Sequence, residues 1–103
     1  MAMHHPEYVL HRHKGNPLLG PSDFPGADAV FNPGQTMCNG KTILLVSVDC
    51  PDRGRPQTHV AESDDGVHFT VREEPFIDGW DRPPFDICLW SPIDARITKI
   101  GDT

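Results

Sequence analysis

The sequence predicts an all-β domain, and three observations support this fold class. Eleven prolines and nine glycines interrupt the 103 residues and leave little room for long helices. No segment repeats apolar residues at the 3.6-residue period of an amphipathic helix. Two pairs of extended runs flank Asn-Gly and Asp-Gly turns, which are strong hairpin signals. With 37% hydrophobic residues, the chain has enough apolar side chains for one small core.

The first predicted hairpin surrounds the turn at Asn39-Gly40. Its strands are residues 36–38 and 42–48, and the second is nearly all apolar, which favours burial of both faces. A short extended run at 27–31 precedes it and leads into Asn32-Pro33-Gly34, a turn signal. Before this run, we expect residues 1–28 to form an N-terminal loop in which residues 8–10 can make an edge strand.

The second predicted hairpin joins residues 58–63 and 67–71 through the turn at Asp64-Asp65-Gly66. The two hairpins together give a four-stranded antiparallel meander. A meander of four strands is the unit from which a β-propeller blade is made. We therefore predict one complete blade over residues 29–72.

A weak internal repeat follows this blade. Residues 94–103 (DARITKIGDT) align with residues 32–41 (NPGQTMCNGK), so that Asp94 falls on Asn32. The offset of 62 positions exceeds a blade of about 40–50 residues, and a loop at 72–91 accounts for the excess. Trp90 in this loop is a candidate for stacking on a sugar. We expect residues 73–103 to form this active-site loop and the first strand of a second blade.

Charge and composition exclude several classes of partner. The formal net charge of -6, with scattered basic residues, argues against nucleic acid, whose phosphates require Lys and Arg. No apolar stretch is long enough to span a membrane, and the first residues lack the apolar core of a signal peptide. Three cysteines at irregular spacing are expected to be free thiols, which agrees with a cytoplasmic location.

Asp94, Arg96 and Asn32 are the candidate site residues. A carboxyl group at the start of an inner strand, beside apolar residues, can act as a general acid. Arg96, two residues on, shares a strand face with Asp94, and the Asn32 amide can bind a sugar hydroxyl. From spacing alone, an ordinary Asp–Arg pair and a turn-forming Asn32 explain the same residues. The spacing of the histidines matches no structural zinc pattern, so we predict no metal site.

Five segments, in order, resemble the N-terminal part of glycoside hydrolase family 130. The last of them, IDARITKI, resembles the most distinctive motif of the family, and the resemblance extends from about His13 to the end of the chain. The segments are NPLL (16–19), AVFNPG (29–34), GKTILL (40–45), AESDDGVHF (61–69) and IDARITKI (93–100).

This resemblance implies a five-bladed β-propeller with its active site on the central axis. Members are mainly phosphorylases that cleave β-mannosides with inorganic phosphate as co-substrate, with no bound cofactor, and release α-mannose 1-phosphate with inversion; some are hydrolases. The family's general acid matches Asp94, and its mannosyl-binding Asn matches Asn32. The resemblance further implies that the proton reaches the glycosidic oxygen through a mannosyl hydroxyl, as in the phosphorylases.

The chain departs from the family pattern in two respects. Ser47 lies near a position where the family often has a substrate-contacting Arg, so no role is transferred to it. The family's phosphate-binding Arg and His residues lie beyond residue 103, so we expect a truncated enzyme that is inactive as this chain alone. The alternatives are a non-catalytic β-sheet module for sugar binding or assembly, for which a homo-oligomer is expected, and a metal protein using His4, His5, His11 and His13.

Overall fold

The fold is a single antiparallel sheet, which confirms the predicted all-β class. The computed structural model describes residues 10–54, 56–76 and 93–103. No α-helix is present in these ranges, and two single 3₁₀ turns cover Pro21–Asp23 and Pro51–Arg53. The four strands pair in chain order as a meander: β1 (Ala29–Cys38), β2 (Lys41–Asp49), β3 (Gln57–Ser63) and β4 (Thr70–Val71).

The first hairpin forms as predicted around Asn39-Gly40. Both residues have positive φ, 51° and 78°, which is the backbone of a two-residue hairpin turn whose twist matches that of the strands. Cys38 pairs with Lys41 directly beside the turn. The turn therefore determines the register of β1 on β2.

The turn predicted at Asn32-Pro33-Gly34 is wrong, because β1 continues through these residues. Phe31 pairs with Ser47, and the next pair is Gly34 with Leu45, so three steps along β1 oppose two along β2. The extra residue makes a β-bulge. Pro33 has no N–H to donate to the ladder, and a bulge is one of the few places where a strand accepts it.

The last strand is shorter than predicted, because β4 begins at Thr70 and not at residue 67. The Asp65 carboxylate accepts the backbone N–H groups of Val67 and His68, each at 2.8 Å. Ser63 Oγ also accepts the N–H of Gly66 at 2.9 Å. These side-chain hydrogen bonds compete with strand pairing and keep residues 64–69 as a loop.

The predicted strand of the second repeat is absent. Residues 95–100 belong to no strand, and among the described residues none pairs with them. A strand needs a neighbour for its N–H and C=O groups, so this segment stays irregular. Its turn does form, since the N–H and C=O groups of Ile100 and Thr103 bond each other at 2.9 and 3.0 Å.

The core lies on one face of the sheet. Val46 and Val48 of β2 point to this face and pack with Phe24, which is 2% exposed and meets the His59 ring edge-on at 5.7 Å. Because side chains alternate along a strand, Ser47 points to the opposite face. The sheet thus has a core face and a second face that carries the candidate site.

Cys38 and Cys50 are free thiols, as expected for these two cysteines. In the described ranges, no helix has the length and apolar character needed to cross a bilayer. Cys88 and the predicted edge strand at 8–10, apart from Leu10, lie outside the described residues.

Candidate functional site

Asn32 is presented by the bulge in β1. Its φ of 44° is in the left-handed region, which Asn adopts more readily than most residues. The bulge turns this position out of the regular pleat, as bulges near sites often do. Asn32 is exposed and lies where the pairing of β1 with β2 is interrupted, so its carboxamide is available for other contacts.

Asp94 meets Asn32 directly, although 62 positions separate them in the chain. Asn32 Nδ2 donates to Asp94 Oδ1 at 2.9 Å. The Asp94 backbone N–H donates to Ser47 Oγ at 3.0 Å. Asp94 has a φ of 58°, so the aligned positions 32 and 94 of the sequence repeat share a left-handed backbone. Two hydrogen bonds therefore anchor Asp94 to the first hairpin.

Gly34 allows the Asp94 segment to lie against the sheet. A Cβ atom at Gly34 would overlap the carbonyl oxygen of Ala95 and lie 3.0 Å from its carbonyl carbon and 3.5 Å from Arg96 Cα. Gly34 itself is buried. The absence of a side chain here is what permits backbone-to-backbone approach.

Arg96 lies beside Asp94 but binds backbone and not the carboxylate. Its Nη1 donates to the carbonyl oxygens of Ala95 and Asp94 at 3.3 and 3.5 Å. Within the described residues no ion pair links Arg96 to Asp94, so the simple Asp–Arg pair is not formed. The guanidinium is exposed and retains donors for a ligand.

A polar cleft of about 440 Å³ is lined by residues of both the bulge and the Asp94 segment. Its wall combines an amide acceptor and donor, a carboxylate and a guanidinium, which are the groups that bind sugar hydroxyls and anions. The lining residues are Asn32, Pro33, Gly34, Gln35, Asp94, Arg96 and Ile97. The structure thus brings together three of the four predicted site residues; Trp90 lies outside the described residues.

Ser47 is the site residue that the sequence reasoning missed. Its side chain is 1% exposed, and its partner Asp94 is 47 positions away. The available signal was a hydroxyl in an otherwise apolar, buried strand, since buried polar groups need a hydrogen-bond partner. The sequence alone did not identify which distant group that partner would be.

A second cleft, of about 430 Å³, opens on the core side of the sheet and is mainly apolar. It contains none of the predicted site residues. Its lining comes from the N-terminal loop, strands β1 and β2 and the loop before β4: Leu18, Leu19, Val30, Phe31, Pro33, Gln35, Thr42, Leu44, Val46, Gly66 and Phe69.

The loop before β4 holds an ionisable cluster. Asp65 Oδ2 lies 2.6 Å from His68 Nδ1, and Ser63 Oγ donates to Asp65 Oδ1 at 2.9 Å. The hydrogen bond from the His68 ring, followed by those from the N–H groups of His68 and Val67 and from Ser63, lowers the pKa of Asp65 well below its ordinary value. Because Ser63 and His68 both bind the carboxylate and not each other, this arrangement organises the loop and does not activate a nucleophile.

The histidines of the metal alternative are only partly described. His11 and His13 are exposed, and His13 Nδ1 accepts the N–H of Gly15 at 2.9 Å. In the described part of the chain, no three His, Cys, Asp or Glu side chains are grouped closely enough to hold a metal ion. His4 and His5 lie outside the described residues.

Comparison with known proteins adds no assignment to this geometry. No protein-family model and no curated protein sequence matches the chain. The functional interpretation of the polar cleft therefore depends on its own residues and on the motifs in the sequence.

Proposed function

We propose that this chain supplies the mannosyl-binding and acid-bearing part of a carbohydrate-active enzyme similar to the β-mannoside phosphorylases of glycoside hydrolase family 130. Its sheet would be the first blade of a five-bladed propeller, and the segment after residue 93 would lead into the second. The observation that carries the proposal is the 2.9 Å hydrogen bond between Asn32 Nδ2 and Asp94 Oδ1. These two residues are matched, independently of each other, by the family's sugar ligand and general acid.

The contact supports a shared site because its two residues come from separate parts of the chain, 62 positions apart. Asn32 belongs to a bulge in β1 and Asp94 to an irregular segment, and both project into one cleft. A carboxamide and a carboxyl group side by side can bind adjacent hydroxyl groups of one sugar ring. The Asp94 segment can lie against the sheet only because residue 34 is a glycine. A chance contact between two surface side chains would not need such a glycine.

The number of carboxylates in the complete site distinguishes phosphorolysis from hydrolysis. Among the described residues that line the cleft, Asp94 is the one acidic side chain. An inverting hydrolase needs a second carboxylate, about 6.5–9.5 Å away, to activate water. A phosphorylase needs only the acid, because phosphate is already a nucleophile.

In the proposed reaction, hydrogen phosphate attacks the anomeric carbon and the glycosidic bond breaks. Asp94 supplies the proton that the departing glycosidic oxygen takes up, directly or through a mannosyl hydroxyl. The proton lost by the phosphate restores the acid, so α-mannose 1-phosphate and a shortened sugar are the products. Arg96 is suited to the anionic co-substrate, since it stays charged and has free donors.

Sugar binding to the chain itself tests the proposal without requiring turnover. We expect β-1,4-mannobiose, at concentrations on the order of millimolar, to shift the amide resonances of residues 32–35 and 94–97. Cellobiose, which differs at C2 of each ring, should cause smaller shifts. Asp94→Ala and Asn32→Ala should abolish the response, whereas Asp102→Ala, in an exposed turn outside the cleft, should retain it. Equal responses to both sugars, or none, would refute the proposal.

A non-catalytic module for assembly is the second candidate, and the apolar cleft on the core side favours it. An exposed apolar groove is a common docking feature. Sedimentation equilibrium distinguishes the two candidates. A closed ring of several copies would support the module, and a monomer that binds mannobiose would support the enzyme.

A further inference from the structure

The Asp94 carboxyl group has no regular secondary structure of its own to hold it. Asp94 is exposed, and residues 95–100 after it form no strand. A general acid must nevertheless be fixed to within about 0.5 Å of its working position. The residues that fix Asp94 must therefore come from elsewhere in the fold.

Ser47 is rigid enough for this role. It lies in the central strand β2, paired with Phe31 on one side and Thr58 on the other, and is 1% exposed. Its hydroxyl oxygen accepts the Asp94 N–H at 3.0 Å. This bond holds the left-handed backbone of Asp94, which determines the direction in which the carboxyl group points.

Asn32 acts on the carboxyl group itself. Its Nδ2 donates to Oδ1, while Oδ2 accepts no hydrogen bond from any described residue. A protonated carboxyl group has one hydroxyl oxygen that donates and one carbonyl oxygen that accepts. Because Oδ1 already accepts from Asn32, the proton belongs on Oδ2. Besides Asp94, Arg96 is the charged group among the described residues of the cleft.

We propose that Ser47 and Asn32 are positioning residues for Asp94: Ser47 fixes its backbone, and Asn32 directs the acidic proton to Oδ2. This role rests on the function proposed above, in which Asp94 is the general acid. It gives Ser47 a function that the sequence did not indicate, and it adds a second function to Asn32 beyond contact with the sugar.

Two variants of the same branched shape isolate the Ser47 hydroxyl. Ser47→Thr keeps the hydroxyl and Ser47→Val replaces it with a methyl group, and both place a second branch at Cβ in the same buried position. We expect hydrogen exchange at the Asp94 amide to be on the order of 3- to 10-fold faster in the Val variant than in the Thr variant, the effect of one lost hydrogen bond. Exchange at Val60, in the centre of the sheet, should be equal in both and so reports an intact fold.

The proton assignment has a separate spectroscopic signature. In the wild-type chain, the Asn32 side-chain NH₂ resonances should shift with pH at the same midpoint as the Asp94 carboxyl carbon. In Asp94→Asn the Asn32 resonances should become independent of pH over that range. A purely structural Asn32, without contact to the carboxyl group, would show no shared midpoint.

The outcomes separate this inference from the proposed function. Equal Asp94 exchange in the Thr and Val variants, or an Asn32 signal that ignores Asp94 titration, overturns the positioning roles even if mannobiose binds. If both signatures are present but mannobiose shifts neither Asn32 nor Asp94, the proposed function fails, and with it the catalytic meaning of the two contacts. Positioning is supported when both signatures and sugar-induced shifts occur together.

Discussion

Replacing Gly34 with alanine tests whether the Asp94 segment is packed on the sheet. The added methyl group would overlap the Ala95 carbonyl oxygen and lie 3.0 Å from the carbonyl carbon, where ordinary contacts are 3.4–4 Å. The obstacle is backbone, which cannot rotate away as a flexible side chain can. The segment must therefore move by at least about 0.4 Å at the carbon and by more at the oxygen, or detach.

The energetic cost of this change has an upper limit. Detachment sacrifices the hydrogen bonds from Asn32 Nδ2 to Asp94 Oδ1 and from Asp94 N–H to Ser47 Oγ. Each has a net worth of about 0.5–1.5 kcal/mol, so we expect Gly34→Ala to destabilise the fold by about 1–3 kcal/mol. Keeping the segment attached would instead incur the usual cost of overpacking, also about 1–3 kcal/mol. A strained, attached segment and a detached segment are therefore expected to have similar free energies.

Urea unfolding measures the free-energy change, and hydrogen exchange at the Asp94 amide measures the loss of the contact. Gly20→Ala is the matched control, because Gly20 has a φ of -141° and no heavy atom within 4 Å of an added Cβ. We expect the control to be neutral or slightly stabilising. Wild-type stability and Asp94 protection in Gly34→Ala would refute the packing described here.

Three further predictions concern the core, the site contact and the acid stability. Phe24→Ala should lower the unfolding free energy by about 3–5 kcal/mol, because it empties a fully buried site. A double-mutant cycle of Asn32→Ala and Asp94→Ala, measured by urea unfolding, should give a coupling of about 0.5–1.5 kcal/mol. Hydrogen bonds to the Asp65 carboxylate, above all the one from the His68 ring, lower the pKa of Asp65 from its ordinary value of 3.8. They therefore stabilise the fold at pH values above 3.8. This stability should disappear as the pH falls below that value through the lowered pKa of the folded state.

Each of these predictions has a control and a contradicting result. Phe76→Ala, at an exposed phenylalanine, should change stability by less than about 0.5 kcal/mol; equal effects at Phe24 and Phe76 would contradict the placement of the core. Backbone strain from alanine at the left-handed positions cancels in the cycle, so zero coupling would exclude the Asn32–Asp94 bond. Asp65→Asn should lose stability less steeply than wild type below about pH 4, and identical slopes would exclude the Asp65 contribution.

The hairpin signals in the sequence predicted most of the sheet because they act locally. Asn39-Gly40 supplies positive φ at both turn positions, and the apolar run 42–48 lies wholly within β2. The Asn32-Pro33-Gly34 signal misled because the residues that favour a turn also favour a bulge. Deciding between them requires the opposing strand, which a local pattern does not contain.

Three residues of the polar cleft, Asn32, Asp94 and Arg96, were candidates from the sequence, but their contacts were not predictable. The repeat aligned Asn32 with Asp94, and the structure joins them by a hydrogen bond at 2.9 Å. Nothing in the spacing predicted that Ser47 would accept the Asp94 N–H, since that bond depends on how an irregular segment crosses the sheet. The strand predicted in residues 94–103, the second copy of the repeat, was wrong for a related reason: a strand requires a neighbour as well as a suitable sequence.

A crystal structure of the chain with β-1,4-mannobiose would test the central claim most directly. We predict that the sugar lies in the polar cleft against both Asn32 and Asp94, which stay hydrogen-bonded to each other. Asp94 N–H should remain bonded to Ser47 Oγ, and Asp94 Oδ2 should face a hydroxyl group or the glycosidic oxygen. A sugar bound away from this cleft, or Asp94 separated from Asn32, would contradict the account.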